Sequence, residues 1–185
     1  MPGIIEFDTE RLRLRQWQAS DRAPFAALNA DPAVMAFFPS LLTRAESDAM
    51  ADRCASLITQ RGWGFWAVEL RRSGEFIGFV GLHQPSAELP FAPCVEVGWR
   101  LAAPYWGQGF ASEAARGAIH VGFHELGLDE IVSFTTLANH RSRAVMQRLG
   151  MRACGHFEHP HVSHQSGLRP HCLYRLAKAR AAGGP

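Results

Sequence analysis

The segment from Cys94 to Leu137 constrains the fold of this chain more than any other. CVEVGWRLA, residues 94–102, carries the branched and aromatic residues of a strand and is ended by Pro104. The glycine-rich WGQGFA, Trp106 to Ala111, follows at once. Ala111, Ala115, Ala118, Ile119, Gly122, Phe123 and Leu126 then recur at spacings of three and four, which predicts a helix with one apolar stripe, closed by Gly127. EIVSFTTL, Glu130 to Leu137, reads as the next strand. One strand, helix, strand unit of this kind implies a mixed α/β fold.

The flanking sequence fits that class. In RLRLRQW, Arg11 to Trp17, Leu12 and Leu14 alternate with arginines at the period of a half-buried strand, and Ser20 and Asp21 open a helix. Thr43 and Glu46 are spaced as a capping box for a second helix, running to about Arg61 before Gly62 breaks it. GFWAVEL from Gly64 and FIGFVGLH from Phe76 flank RRSGE as an antiparallel hairpin. After a proline-bearing loop, Pro85 to Pro93, and the central unit, Asn139 begins a short helix to Leu149, followed by strands near Arg152 to Glu158 and Pro170 to Leu176. The chain contains no internal repeat.

A chain of 185 residues that is 47% hydrophobic suits one domain, expected over residues 1–176, with 177–185 (AKARAAGGP) as a frayed tail. MPGIIEFDTE has neither a basic leader nor a long apolar run, so no membrane partner is expected and a cytoplasmic location is the default. Cys54, Cys94, Cys154 and Cys172 are widely spaced without a CxxC, which argues for free thiols over a zinc site or a disulfide framework. A net charge of +2, with Lys178 the single lysine among nineteen basic residues, is too small to mark a nucleic-acid partner.

A strand that runs into glycines and then a helix gathers unpaired backbone N–H groups at the positive end of a helix dipole, which suits phosphate. Gly107 and Gly109 permit positive φ and close approach, and Ala111 and Ser112 keep the first turn uncrowded. A P-loop would need Lys followed by Ser or Thr, and a dinucleotide fingerprint would need a small residue where Glu113 stands. An ordinary glycine turn is the alternative that these residues alone leave open.

With Gly109 and Ala111 in the signature positions, the segment resembles that of the GNAT acetyltransferase superfamily: Gln or Arg, two residues, Gly, one residue, then Gly or Ala at the start of the central helix. Trp106 replaces the usual Gln or Arg, as in the RimJ and RimL branch that acetylates N-terminal amines of ribosomal proteins. TERLRLR (Thr9 to Arg15), VEVGWRL (Val95 to Leu101) and NHRSRAVMQRLGM (Asn139 to Met151) extend the resemblance over nearly the whole chain. It implies a mixed, mostly antiparallel sheet splayed at a cofactor cleft and flanked by helices on both faces. The implied cosubstrate is acetyl-CoA, with no metal. The expected acceptor is an amine, either a protein N-terminus or a small molecule such as an amino acid, polyamine or aminoglycoside. A homodimer is common among such enzymes, and a non-catalytic acyl-CoA sensor is the rival class.

The resemblance also assigns roles. Val97, Trp99 and Leu101 would line pantetheine after a bulge at Gly98, with a backbone N–H near Trp99 or Arg100 polarising the thioester carbonyl. Trp106, Gly107, Gln108, Gly109, Phe110, Ala111 and Ser112 would hold the pyrophosphate, and Asn139 and Arg143 would also bind the cofactor. Asn139 either bonds pantetheine or caps its helix. Glu96 is the candidate base, or else a solvated or salt-bridged strand carboxylate. Met146 stands where many relatives carry a proton-donating tyrosine, and Ser142, one turn earlier, is the nearest replacement unless it serves as a local cap. Phe38, Trp66, His83 and His159 are expected to wall the acceptor pocket. The run of histidines His156, His159, His161, His164 and His171 lacks the companions of a zinc site.

Overall fold

The computed structural model describes residues 2–179. Eight strands form one sheet in the order β1-β2-β3-β4-β5-β6-β8-β7. They are β1 (Phe7–Asp8), β2 (Leu12–Arg15), β3 (Phe65–Leu70), β4 (Phe76–His83), β5 (Glu96–Leu101), β6 (Glu130–Thr136), β7 (Arg152–Glu158) and β8 (Pro170–Ala177). All neighbours are antiparallel except β5 and β6, which the central helix α3 (Phe110–His124) connects in parallel. Helices α1 (Arg22–Asn29) and α2 (Arg44–Arg61) lie between β2 and β3, and α4 (His140–Arg148) follows β6.

The ends of α2 show how directly local chemistry sets an element. Thr43 accepts from the Glu46 N–H and the Glu46 carboxylate accepts from the Thr43 N–H at 2.7 Å, the reciprocal pattern of a capping box. At the other end Gly62, at φ 85°, returns its N–H to Ile58 O at 2.7 Å. The entry to α1 is built differently from the sequence expectation. A short 3-10 turn, Ala19–Asp21, precedes it, and Asp21 reaches back to that turn, accepting from Gln18 N at 2.8 Å while both carboxylate oxygens also accept from the Arg15 guanidinium.

Each face of the sheet has its own core. Leu14, Val68, Ile77, Val80 and Val97 pack beneath Ala114, Ala115 and Ala118 of α3 on one face, with Met146 of α4 in the same cluster. Ala67, Phe76 and Phe79 pack beneath Phe25 and Leu28 of α1 and Ala51 of α2 on the other. Apolar side chains therefore occupy successive positions of β3 and β4, and alternation alone does not tell which face a residue serves.

Two sequence expectations change here. Trp66, expected in the acceptor pocket, is fully buried in the α3-side core, where its indole N–H donates to Ile5 O and Phe7 meets its ring edge-on. The bulge expected at Gly98 is absent from the β4–β5 ladder, where Gly98 stands opposite Gly81 in unbroken register; β3 and β4 instead shift register between Val68 and Glu69. At the chain end, β8 includes Ala177, and Lys178 N donates to Asp129 O at 2.8 Å. Residues 180–185 of the expected tail lie outside the described residues. Among the described residues no helix is long and apolar enough to cross a membrane.

Candidate active site

Strands β5 and β6 share a single register pair, Glu96 with Val132, and then diverge. The edge of β5 that turns toward this gap can be followed by its carbonyls. Val95 O accepts from Val132 N at 2.9 Å, Val97 O from the Ser133 hydroxyl at 2.9 Å, and Leu101 O from the Trp106 indole at 2.8 Å. Ser133 thus replaces a ladder bond with a side chain at the point of splaying, and Trp106 closes the far end. Trp99 has the same parity, so its N–H and C=O point into the open stretch between them. Gly98 and Arg100 have the opposite parity and face β4, as Ala102 does when it donates to Ile77 O. Of the two backbone donors nominated from sequence, the geometry favours Trp99.

The glycine-rich loop lies at the C-terminal end of β5. After a short 3-10 turn, Ala103–Tyr105, Gly107 takes φ 70° and Gly109 φ 81°, both left-handed values that suit glycine. Gly109 is the N-cap of α3 and supplies no capping side chain, so the first-turn N–H groups of Phe110, Ala111 and Ser112 lack intrahelical acceptors. The buried hydroxyl of Ser112 has no hydrogen-bond partner. A Cβ built at Gly107 would meet nothing within 4 Å, so the backbone there is open to a ligand. Unclaimed donors, an orphaned hydroxyl and an open glycine are what a pyrophosphate needs. Glu113 ties this end of α3 to the first hairpin, accepting from Thr9 Oγ1 at 2.6 Å and from Arg11 N at 2.8 Å.

Not every residue nominated for the cofactor reaches the loop with its side chain. Phe110 is buried under the Arg11 guanidinium, 4.4 Å from its ring centre, and Gln108 folds back to donate to Pro104 O. Val97 and Leu101 contribute side chains to the core. Arg143 donates to Leu137 O at 3.1 Å and a further bond to Tyr174 raises its pKa, while its Nε is buried without a partner. Arg141, which sequence reading passed over, places its guanidinium 3.8 Å from the centre of the Trp106 ring.

Asn139 caps α4: its Oδ1 accepts from Ser142 N at 3.1 Å and its amide donates to Thr135 Oγ1 at 3.1 Å. Ser142 Oγ in turn accepts from the Trp99 indole at 3.3 Å, which sets the hydroxyl beside the strand bearing the open backbone group. Met146 is 1% exposed in the core and offers no donor.

The opposite face of β5 carries Glu96, Gly98 and Arg100. Burial pushes the Glu96 carboxyl up to about 8. Its cross-strand partner is His83, whose ring stacks on Phe65 at 5.0 Å. Burial, with Arg61 and Arg53 adding to it, pushes His83 down to about 4, so it is neutral at pH 7. Phe65 also approaches the bare Cα of Gly98, where an added Cβ would lie 3.1 Å from its ring. Phe38 is 38% exposed and covers the Arg100 guanidinium at 4.1 Å.

His159 lies across the gap, in an aromatic nest that no sequence pattern announced. Its ring is 4.8 Å from His171 and 6.0 Å from Phe134, and Phe91 and Phe157 complete the group. Burial, then His171, His161 and Arg169, push His159 down to about 4. Trp66 is therefore the one residue of the expected acceptor wall that the fold takes away from that face. Phe65, its neighbour in β3, occupies the position instead.

Comparison with known proteins agrees with this geometry. Residues 11–152 match the family described as acetyltransferase (GNAT) domain. The protein named YkkB, from Bacillus subtilis (strain 168), is 30% identical over 146 residues, covering 77% of this chain and 83% of that one. The FsC-acetyl coenzyme A-N(2)-transacetylase of Aspergillus fumigatus is 33% identical over 152 residues, covering 77% of this chain and 63% of that one. Among solved structures, RimL, a ribosomal alpha-N-protein acetyltransferase in complex with coenzyme A, superposes with a TM-score of 0.74 at 17% identity, over 94% of this chain and 98% of that one. With the splayed parallel pair, the uncapped glycine entry to α3 and the matched family domain all falling within one stretch, the chain belongs to the GNAT family and is an acetyltransferase.

Proposed function

We propose that this protein transfers the acetyl group of acetyl-CoA to an α-amine, with a protein N-terminus as the favoured acceptor. The observation that carries the reading is Glu96, a carboxyl raised to about 8 by burial on the sheet face opposite Ser142. An α-amine has a reference pKa of about 8 and a lysine side chain about 10.4. Proton transfer to Glu96 is then close to balanced for an α-amine and roughly 200-fold uphill for a lysine. The likeness to RimL in fold, and Trp106 in the loop, support an N-terminal acceptor.

The residues divide the work by face. The first-turn N–H groups of α3, the Ser112 hydroxyl and Gly107 would hold the pyrophosphate, and the open edge of β5 at Trp99 would receive pantetheine. When bound, acetyl-CoA supplies an activated thioester. The Trp99 N–H stabilises the negative charge that develops on its oxygen. Glu96 takes the proton of the attacking amine, directly or through water, and the Ser142 hydroxyl, fixed by the Trp99 indole, gives a proton to the departing sulfur.

A small-molecule acceptor is the second reading, favoured by the name of the Aspergillus fumigatus relative, which specifies an N(2) acceptor. Thiol release from acetyl-CoA separates the two readings across peptides with free N-termini, the same peptides with blocked N-termini and an internal lysine, and a panel of small amines. Turnover confined to small amines would remove the peptide reading, and turnover confined to lysine would remove the α-amine. In the same assay Glu96→Gln is expected to lower kcat/KM by about 100-fold or more and to abolish a rise with pH centred near 8 that is independent of the acceptor's own titration. Ser142→Ala should lower kcat more than it weakens acetyl-CoA binding; an unchanged kcat rules out its role as acid.

A further inference from the structure

Two arginines of this protein, Arg15 buried and Arg100 half-buried, are treated in opposite ways. Arg15 has counter-charges: Asp21 bonds it twice, at 2.8 and 2.9 Å, and Glu69 once, at 2.7 Å. Although burial opposes it, those partners raise the Arg15 pKa. Arg100 has none. Its Nη1 donates to Asn29 Oδ1 at 2.7 Å and approaches Met50 Sδ at 3.7 Å, while the guanidinium lies over Phe38 at 4.1 Å and Phe79 at 5.3 Å. Its Nε is buried without a partner. Burial lowers Arg100 to about 10, and the nearby Cys54 thiol, itself pushed up to about 11 by burial, is neutral at pH 7.

The neutral partner is held firmly in place. Asn29 is fully buried, and its amide donates to Ser47 Oγ at 2.9 Å, which orients Oδ1 toward Arg100. The arrangement satisfies one N–H and leaves the charge uncompensated, a condition that a buried cation does not gain from unless a partner arrives. The position of Arg100 says where that partner would come from. It shares a face of β5 with Glu96, with side-chain-free Gly98 between them, and lies next in sequence to Trp99. The side of the guanidinium not enclosed by α1, α2 and β4 is covered by Phe38, an exposed ring on the irregular segment between α1 and α2.

We propose that Arg100 anchors a carboxylate that the acceptor carries close to its reacting amine, so that Glu96 and Arg100 grip the two ends of a zwitterion-like group across Gly98. Such a carboxylate belongs either to a free α-amino acid or to an acidic residue near a peptide N-terminus. The proposal rests on the α-amine reading and narrows it.

The test compares acceptors matched apart from the carboxylate: an amino acid with its amide, and the peptide amide Ser-Glu-NH2 with Ser-Gln-NH2, with rates corrected for the neutral fraction of each amine. The wild-type protein should favour the carboxylate-bearing member by on the order of tenfold or more in kcat/KM in one of the two pairs, and the pair showing it identifies the source. R100Q should bring that ratio to about one by raising KM for the carboxylate member, whereas a purely structural arginine would lower all rates together and leave the ratio intact. No preference in either pair, or a preference that survives in R100Q, overturns the proposal; if R100Q does not fold, the wild-type ratios decide. Binding keeps the test separate from catalysis. In the presence of coenzyme A, an N-acetyl amino acid or N-acetyl-Ser-Glu-NH2 should raise the Tm of the wild type more than its uncharged counterpart does, even if no acceptor is turned over. Absence of turnover would then count against the proposed function, and equal Tm shifts against Arg100.

Discussion

Glu96 stands opposite His83 across the β4–β5 ladder, and burial raises its carboxyl to about 8. The consequence for stability has a definite sign. A carboxyl whose folded pKa lies above its unfolded value of 4.5 favours the folded state most when protonated, so its contribution is complete below 4.5 and is lost as pH rises through about 8. Glu96→Gln, which is neutral throughout, should therefore match the wild type in Tm near pH 4, gain on it steadily between pH 5 and 8, and hold a constant advantage above that. Thermal unfolding of both proteins across this range checks it; a Tm difference independent of pH would mean that the carboxyl is solvated. The sequence marked Glu96 by type and position but not its face, because Val95 and Val97 say only that Glu96 points away from them. Trp66 was misplaced, and the surroundings of Arg143 were illegible, for a related reason. A tryptophan in a strand buried on both faces, or an arginine one turn into a helix, reads the same whether it meets a ligand or a backbone carbonyl, and only the packed structure supplies Ile5 O for one and Leu137 O for the other.

The elements themselves were far more legible, because caps, glycines and apolar periods are local. Thr43, Glu46 and Gly62 bound α2 at the residues the sequence indicated, and the apolar stripe from Ala111 became α3 with its buried face on the sheet, although the helix ends at His124 with Glu125 as its cap, short of the Leu126 and Gly127 expected to close it. Two substitutions separate the roles of such ends. Thr43→Ala removes a cap remote from the loop and should lower stability by about 1 kcal/mol while leaving the KM for acetyl-CoA unchanged. Gly109→Ala forces a side chain into φ 81° and should cost about 1–2 kcal/mol. It should also raise the acetyl-CoA KM, because relaxation of that strain re-aims the free N–H groups of the first turn. Chemical denaturation and initial-rate kinetics measure both; a Gly109→Ala protein with unaltered KM would show that the loop is a turn and not a binding element. The register shift between Val68 and Glu69 had no comparable local signal, since it reflects how two already paired strands accommodate sheet twist.

At the scale of the whole molecule, β3–β4 and β7–β8 each carry a local register shift, but the pairing that lapses along most of a strand is that of β5 with β6, where the parallel pair meets the crossover helix. The β4 side of β5 is paired over six residues, whereas the β6 side has one pair, one hydroxyl substitute at Ser133 and one indole at Trp106. The α3-side core joins the two halves of the sheet, from Val80 and Val97 to Ile131 and Tyr174, while the opposite core lies on the β3–β4 half, so packing on one face fixes the strands on either side of the gap. This arrangement predicts a pattern in amide hydrogen exchange that no single-residue argument would give. In the free protein Gly98 and Arg100, whose N–H groups face β4, should exchange slowly, and Trp99 between them should exchange faster by about tenfold or more. Acetyl-CoA should slow Trp99 toward its neighbours and leave Gly98 and Arg100 unchanged, because a chain laid along the open edge completes the missing half of the ladder. Residue-resolved exchange by NMR measures this alternation. Uniform slow exchange at 98–100 without ligand would mean that β5 and β6 close on each other in solution, and the site would then need a conformational opening that the static sheet does not display.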